Sequence, residues 1–230
     1  MIMKVNDHYL HNVYFLDIPT ESRVWLATPN LNKGVTVYNE RLFTQSGIEY
    51  RTWDAYKSKL AACIQSNLKN IPQLDDLRIL YLGAATGTTV SHVSDIVGLN
   101  KGIILALEFS AKAARRLIQL AKTRPNIIPV VADARNPGEY ATTVHAVDFI
   151  FQDISQVNQA QIFIDNAKAF LKPGGKAIFI IKAASIDTTK TVEVVTEEVV
   201  DQVKKAGFTV ESVVDISRFE KEHRALLISN

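Results

Sequence analysis

The second part of the chain, from about residue 78 onward, alternates short and almost wholly apolar runs with amphipathic segments. Five such runs span Arg78–Leu82, Gly102–Leu107, Ile127–Val131, Val147–Phe151 and Lys176–Ile181. Runs that are apolar on both faces are typical of strands in a parallel sheet that helices cover on each side. The pattern therefore predicts an α/β fold with a doubly wound, mostly parallel sheet.

The segments between and after these runs have helical periodicity. Ser110–Lys122 places its apolar residues on one face and its charged residues on the other, with Ser110 in position to cap the helix. Another helix is predicted from Thr191 to Ala206, ended by Gly207. Two further strands are predicted to finish the sheet in antiparallel fashion, at Phe208–Ile216 and His223–Ile228.

The first part of the chain differs in kind. It has short alternating runs, such as Tyr14–Ile18 and Arg23–Ala27, interrupted by prolines and Gly34. This pattern predicts a small antiparallel β unit. We therefore divide the chain into a β-rich N-terminal subdomain, residues 1–53, and a main domain, residues 54–230, with a predicted helix from Asp54 to Asn67 bridging them.

Composition narrows the class of protein. The 230 residues are 47% hydrophobic and 22% charged, and no window approaches the roughly 18 unbroken apolar residues of a membrane span. The N-terminus shows no secretion signal, so we expect a cytoplasmic protein that does not associate with membranes. Cys63 is the single cysteine, which excludes an internal disulfide, and the histidines lack ligand-like spacing, so we assign no metal.

A loop of small residues, GAATGTT, follows the first predicted strand of the main domain at residues 83–89. Nucleotides bind at this position in doubly wound folds. No lysine follows the second glycine, as it would in a Walker loop, and Ala85 stands where a dinucleotide fingerprint has its second glycine. These differences disfavour a diphosphate ligand.

Acidic residues follow the next three strands. Glu108 ends the second strand about 20 residues after Gly87, the spacing at which a carboxylate binds ribose hydroxyls. Asp133 and Asp153 follow the third and fourth strands, and Asp133 could meet an adenine amino group. Because strand ends of a parallel sheet share one edge, these residues predict a site for a nucleoside cofactor.

Several segments resemble the fibrillarin family, and the resemblance extends along nearly the whole chain. It is carried by YLGAATGTTVSHVSDIVG at residues 81–98, YRTWDAYKSKLAACI at 50–64, VADAR at 131–135, DISQVNQ at 153–159, LKPGGKAIFIIKAASID at 171–187 and FEKEHRALLI at 219–228. The resemblance implies a seven-stranded class I methyltransferase (Rossmann-like) sheet with a small N-terminal β subdomain. It also implies S-adenosylmethionine-dependent 2′-O-methylation of ribose in rRNA, with tRNA as a further substrate, in a protein of the archaeal type.

The resemblance also implies site residues. Those expected at the cofactor are Gly83, Ala85, Thr88, Thr89, Glu108, Phe109, Asp133, Ala134, Asp153, Ile154, Ser155 and Gln156. A Lys-Asp-Lys-His catalytic set falls on Lys59, Asp153, Lys182 and His223. Our hypothesis is that Lys182 accepts or steers the proton of the 2′-hydroxyl, Asp153 orients the methyl donor and Lys182, and His223 orients and polarises the cluster.

A formal net charge of +2 is low for a protein that holds RNA unaided. The family resemblance implies that a box C/D guide RNA, a Nop5-type scaffold protein and an L7Ae-type RNA-binding protein hold the target rRNA or tRNA. Two other functions stay open from the sequence. One is a class I methyltransferase that acts on another RNA, a small molecule or a protein, and the other is a non-catalytic scaffold.

Overall fold

A computed structural model describes residues 3–100 and 102–230 of the chain. Its first five strands form an antiparallel sheet in the order β1-β2-β3-β5-β4. Their bounds are Lys4–Asp7 for β1, Tyr14–Asp17 for β2, Val24–Pro29 for β3, Leu42–Gln45 for β4 and Ile48–Trp53 for β5. The hairpin of β4 and β5 was not predicted from the sequence. Its turn contains Ser46 and Gly47, both with positive φ.

Helix α1, Lys59–Gln65, is shorter than the helix predicted from Asp54 to Asn67. The carboxylate of Asp54 accepts the N–H of Tyr56, which makes a turn, and Ser58 is extended and caps the helix by accepting the N–H of Ala61. At the other end, Asn67 has a positive φ of 63°. A side-chain turn and cap at the start, and a residue in the left-handed conformation at the end, therefore override the helical pattern of the sequence.

The remaining strands form one seven-stranded sheet in the order β11-β12-β10-β9-β6-β7-β8. Their bounds are Arg78–Leu82 for β6, Ile103–Glu108 for β7, Ile127–Val131 for β8, Val147–Gln152 for β9, Leu171–Lys182 for β10, Thr209–Asp215 for β11 and His223–Ser229 for β12. Strands β6 to β10 are parallel, and β12 is antiparallel to both β10 and β11. The predicted antiparallel finish is present. Strand β10 begins at Leu171 rather than Lys176, because Leu171 pairs with Val147 across a register shift.

Six further helices connect these strands: α2 at Thr88–Val97, α3 at Ala111–Ala121, α4 at Pro137–Val144, α5 at Gln159–Phe170, α6 at Ala183–Ile186 and α7 at Val192–Lys205. Ser110 caps α3, as predicted, by accepting the N–H of Ala113. Gly207 follows α7 with φ +102°. Among the described residues, no helix has the length and apolarity needed to cross a membrane.

The antiparallel sheet packs on α2 through a buried polar network. The guanidinium of Arg51 contacts Glu40 at 2.6 Å and Asp95 at 2.6 Å, and Arg124 binds the other oxygen of Asp95 at 2.5 Å. Thr28 donates to Asp95 and contacts the imidazole of His92. Apolar residues of the two parts also share one buried cluster. The division at residues 53 and 54 therefore stays a prediction.

Candidate active site

Polar residues gather where β6, β7, β9 and β10 end, beside the point at which the strand order reverses between β6 and β9. Ligands bind at such a reversal in open α/β sheets. The small-residue loop leaves β6 here, and its first two N–H groups, on Gly83 and Ala84, both donate to the carbonyl of Leu107 on β7. The loop is therefore tied to the neighbouring strand.

Gly83 brings the loop close to the chain that leaves β9. Its φ is +86°, and a Cβ at this position would lie 2.2 Å from the carbonyl oxygen of Asp153. A residue with a side chain would strain the backbone and push Asp153 away. Glycine at this position therefore lets Asp153 sit against the loop.

Glu108 holds the loop from the end of β7. One carboxylate oxygen accepts the N–H of Ala85 at 2.7 Å, and the other accepts the N–H of Ser110 at 2.7 Å. Ala85 has a positive φ of 48°. Because a carboxylate has about four acceptor positions, Glu108 can also accept from two hydroxyls of a ligand.

A cavity of about 330 Å³ opens at this edge of the sheet. All the residues predicted at the cofactor line it except Thr88 and Thr89: Gly83, Ala85, Glu108, Phe109, Asp133, Ala134, Asp153, Ile154, Ser155 and Gln156. Phe109 is 68% exposed at the rim of this cavity, so its ring can contact a ligand there. The predicted cofactor residues thus come together at one place.

Thr88 and Thr89 lie outside this lining. Thr89 is buried, and its hydroxyl donates to Ser58 beside α1. Thr88 lines a separate cavity of about 930 Å³ between the 32–39 segment and α3, together with Arg115 and Arg116. A side-chain contact of either threonine with the cofactor therefore rests on the family resemblance alone.

Asp133 is already engaged by a neighbour that the sequence analysis missed. Arg135 donates to both of its carboxylate oxygens, with distances of 2.6 to 3.1 Å, and also lines the cavity. The hydrogen bond from Arg135 lowers the pKa of Asp133 below its ordinary value. Asp133 is therefore an ionised acceptor at the cavity wall.

Asp153 and Lys182 form an ion pair in the cavity wall. Lys182 Nζ lies 2.9 Å from Asp153 Oδ1 and donates a hydrogen bond to Ser155 Oγ at 2.7 Å. The buried Oδ1 atom makes no aligned hydrogen bond, so charge contact alone joins it to the lysine. The Asp153 side chain keeps 16% of its surface exposed, so the carboxylate can still meet a further donor at the cavity.

Lys59 and His223 complete the predicted catalytic set near this pair. His223 lies opposite Lys182 in the pairing of β12 with β10. Burial lowers the pKa of His223 below its ordinary value of 6.5, and the charges of Lys59 and Lys182 lower this pKa further. Lys59 Nζ binds Glu220 at 2.8 Å, a residue that the sequence analysis did not single out although it lies in the FEKEHRALLI run. The structure thus brings all four residues to one end of the sheet.

Two buried glutamines beside the site were also missed. Gln159 accepts the N–H of Lys182 at 3.0 Å and donates to its carbonyl at 3.2 Å. Gln152, the last residue of β9, donates to the carbonyl of Gln159 at 2.9 Å. Gln159 is in the DISQVNQ run, but its distance of 23 residues from Lys182 gives no signal in the sequence.

The residues present fit S-adenosylmethionine. The cavity is within the size range of small-molecule sites. Glu108 can bind ribose hydroxyls, the exposed ring of Phe109 can cover the adenine, and the partly exposed carboxylate of Asp153 can accept from the amino group of the methionine part. S-adenosylmethionine contains no phosphate, so the lining does not need a cluster of backbone N–H groups to bind a diphosphate.

Comparison with known proteins agrees with this geometry. The family model described as Fibrillarin matches residues 5–230. The chain belongs to the fibrillarin family. A fibrillarin-like rRNA/tRNA 2′-O-methyltransferase of Sulfurisphaera tokodaii is 42% identical over 226 residues, which cover 98% of this chain and 96% of that protein.

Solved structures of other fibrillarins have the same fold. The Aeropyrum pernix fibrillarin in complex with natively bound S-adenosyl-L-methionine is 37% identical, covers 99% of both chains and superposes with a TM-score of 0.90. A fibrillarin/Nop5p complex is 38% identical, with a TM-score of 0.86 over 97% of this chain and 100% of that one. The predicted family and fold class are confirmed, and these relatives agree with the predicted enzyme class and cofactor.

Proposed function

We propose that this fibrillarin is an S-adenosylmethionine-dependent methyltransferase that methylates ribose 2′-hydroxyls of rRNA and tRNA under the direction of a box C/D guide RNA. The observation that carries the proposal is the Asp153–Lys182 ion pair in the wall of the cofactor cavity. A neutral alcohol is a weak nucleophile and must lose its proton as it attacks. In this proposal the 2′-hydroxyl lies beside the ion pair when it loses that proton.

S-adenosylmethionine, when bound, supplies a methyl group on a positively charged sulfur. The proposed role of the loop at Gly83, of Glu108 and of Asp133 is to hold the nucleoside part, and Asp153 orients the donor end. A bound S-adenosylmethionine would supply the methyl group of the new O–CH3 bond as its S–CH3 bond breaks, and the proton of the 2′-hydroxyl would leave. As the ammonium partner of Asp153, Lys182 has donors and no acceptor, so it steers that proton; accepting it would first require a proton transfer from Lys182 to Asp153.

Lys59 and His223 have supporting roles in this proposal. Lys59, bound to Glu220, adds positive charge beside His223, and burial disfavours protonation of the histidine. A neutral His223 opposite Lys182 can orient and polarise the cluster without competing for Asp153.

The proposed partners follow from the family and from the modest net charge. A nearly neutral enzyme makes few phosphate contacts and binds RNA weakly by itself. A Nop5-type scaffold, an L7Ae-type protein and the guide RNA would supply the missing affinity, and base pairing with the guide would select the nucleotide.

Reconstitution tests this function. The chain, both partner proteins and a box C/D guide RNA are assembled, and methyl transfer to a matched target is mapped by nucleotide. We expect ribose methylation at the single guided position and none on an unmatched RNA. Equal methylation of both RNAs would favour another class I methyltransferase, and no transfer at all would favour a scaffold.

A further inference from the structure

Strand β10 extends past the end of its parallel neighbour β9, and Lys182 is the last residue of this extension. Pairing between β9 and β10 stops at Gln152 and Phe179, and the chain of β9 then turns away. Residues 180 to 182 therefore have a strand beside them only on the β12 side. An unpaired strand end presents backbone N–H and C=O groups that must find other partners.

The peptide groups of Lys182 point to the side where no strand lies. The N–H of Ala183 donates to the carbonyl of Glu222, the residue directly before β12, and peptide groups alternate in direction along a strand. The N–H and carbonyl of Lys182 therefore face the gap beyond β9. Gln159 fills that gap, because its side-chain amide accepts from the first and donates to the second.

Gln159 is itself held in place. It is fully buried as the first residue of α5, and its carbonyl accepts the amide of Gln152. The hydrogen bonds between Gln152 and Gln159 and between Gln159 and Lys182 thus extend the hydrogen-bond ladder of the sheet through side chains. It connects the end of β9, just before Asp153, to the backbone of the lysine that pairs with Asp153.

We propose that Gln159 is a positioning residue, which holds the backbone of Lys182 so that its ammonium group stays against Asp153 and Ser155 at the cofactor cavity. The inference rests on the proposed function for its kinetic consequence, but the position of Lys182 can be measured without methyl transfer. Gln159 does not line the cavity, so the proposed role affects the geometry of the reaction and not the affinity for the cofactor.

The first test replaces Gln159 with Leu, which removes both hydrogen bonds at similar size. Gln161→Leu is the matched control, because Gln161 lies on the same helix, is exposed and bonds to Asp165. In the assembled particle, kcat of Gln159→Leu is expected to fall by about 30- to 100-fold, since small displacements of a reacting group cost that much. KM for RNA and the calorimetric Kd for S-adenosylmethionine should stay near the control. A kcat equal to the control's would overturn the proposal.

A second variant covers the case in which Gln159→Leu does not fold. In Gln159→Glu, a protonated carboxyl can make both hydrogen bonds, whereas an ionised one can accept from Lys182 but cannot donate. The rate relative to wild type is therefore expected to rise as the pH falls. A ratio that does not change with pH would contradict the positioning role.

A chemical readout separates this inference from the proposed function. Acetic anhydride is applied to the isolated chain, and acetylation of Lys182 is compared with that of the exposed Lys205 by peptide mass spectrometry. Gln159→Leu is expected to raise the relative acetylation of Lys182 several-fold over Gln161→Leu. Unchanged acetylation would refute the positioning role even in an active enzyme, whereas changed acetylation with an inactive wild type would refute the proposed function alone.

Discussion

Two regions of the molecule contain similar charged side chains in different states. One is the junction between the antiparallel sheet and α2, and the other is the edge of the main sheet. At the junction, Arg51 and Arg124 surround Asp95, and all three side chains are at most 1% exposed. At the edge, Lys182 and Asp153 keep 17% and 16% of their side chains exposed, and an oxygen of Asp153 lacks an aligned donor. Complete pairing holds two parts of the fold together, whereas incomplete pairing beside a cavity leaves groups free to bind a ligand.

The largest effect is expected from Lys182→Ala, which removes the cation from the incompletely paired edge. Loss of a group that handles a proton costs about 10²- to 10⁴-fold in rate, so guided methylation should fall by that factor. Cofactor binding, measured by calorimetry, should persist. Lys176→Ala is the control, because Lys176 lies on the same strand but pairs with Glu211. Turnover retained in the assembled particle would contradict the role of Lys182.

The junction should respond in stability and not in chemistry. Arg51→Met removes the cationic partner of the buried Glu40 carboxylate, which keeps only the N–H groups of Val37 and Tyr38, and removes one partner of Asp95. Breaking a buried pair in this way is expected to lower the free energy of unfolding by about 3–5 kcal/mol in urea titrations. The exposed control Lys190→Met, which loses its pair with Glu198, should change it by less than about 1 kcal/mol. Similar losses for the two variants would show that the network is not what stabilises the junction.

Gly83→Ala tests how closely the loop must approach Asp153. The new Cβ would meet the carbonyl oxygen of Asp153, so the affinity for S-adenosylmethionine should fall about tenfold or more, or about 1.4 kcal/mol. Gly174→Ala separates strain from collision, because Gly174 also has a positive φ but has open space around it. If both variants bind the cofactor as the wild type does, the close approach has no role in binding.

The smallest effect concerns the pH dependence of the junction. Burial, with Arg51 and Arg124 nearby, holds the pKa of His92 well below its ordinary value of 6.5. As the pH falls through 6.5 the unfolded chain gains a proton here and the folded chain does not, so stability declines. Between pH 7 and 5.5 the stability advantage of wild type over His92→Gln should shrink by about 1 kcal/mol. An advantage that stays constant would mean that His92 titrates normally in the folded protein.

Most of the main sheet could be predicted from the sequence. Strands such as Arg78–Leu82 and Ile127–Val131 are apolar on both faces, and the structure has them with these bounds. The start of α1 and the hairpin of β4 and β5 could not be predicted. Their bounds depend on local side-chain hydrogen bonds and on the partner strand β3, neither of which appears in a periodic pattern.

The candidate site also has a part that could be predicted from the sequence and a part that could not. The small-residue loop, Glu108 and Asp153 could be predicted, because the ends of parallel strands must meet at one edge. Lys59, Lys182 and His223 came from the family resemblance, and the structure brings them close together. The supports of that cluster, Glu220 and Gln159, depend on pairs 161 and 23 residues apart in the chain. No spacing rule relates residues at such distances.

The sequence by itself determined the doubly wound architecture, the edge at which a cofactor would bind and the family, since each depends on local apolar patterns or contiguous motifs. Only the tertiary structure decided which polar groups are buried and fully paired and which stay partly exposed beside the cavity. That difference arises from contacts between distant segments, such as Arg51 with Asp95 and Gln159 with Lys182. Pairing of buried polar groups is a property of the packed chain and not of any stretch of it.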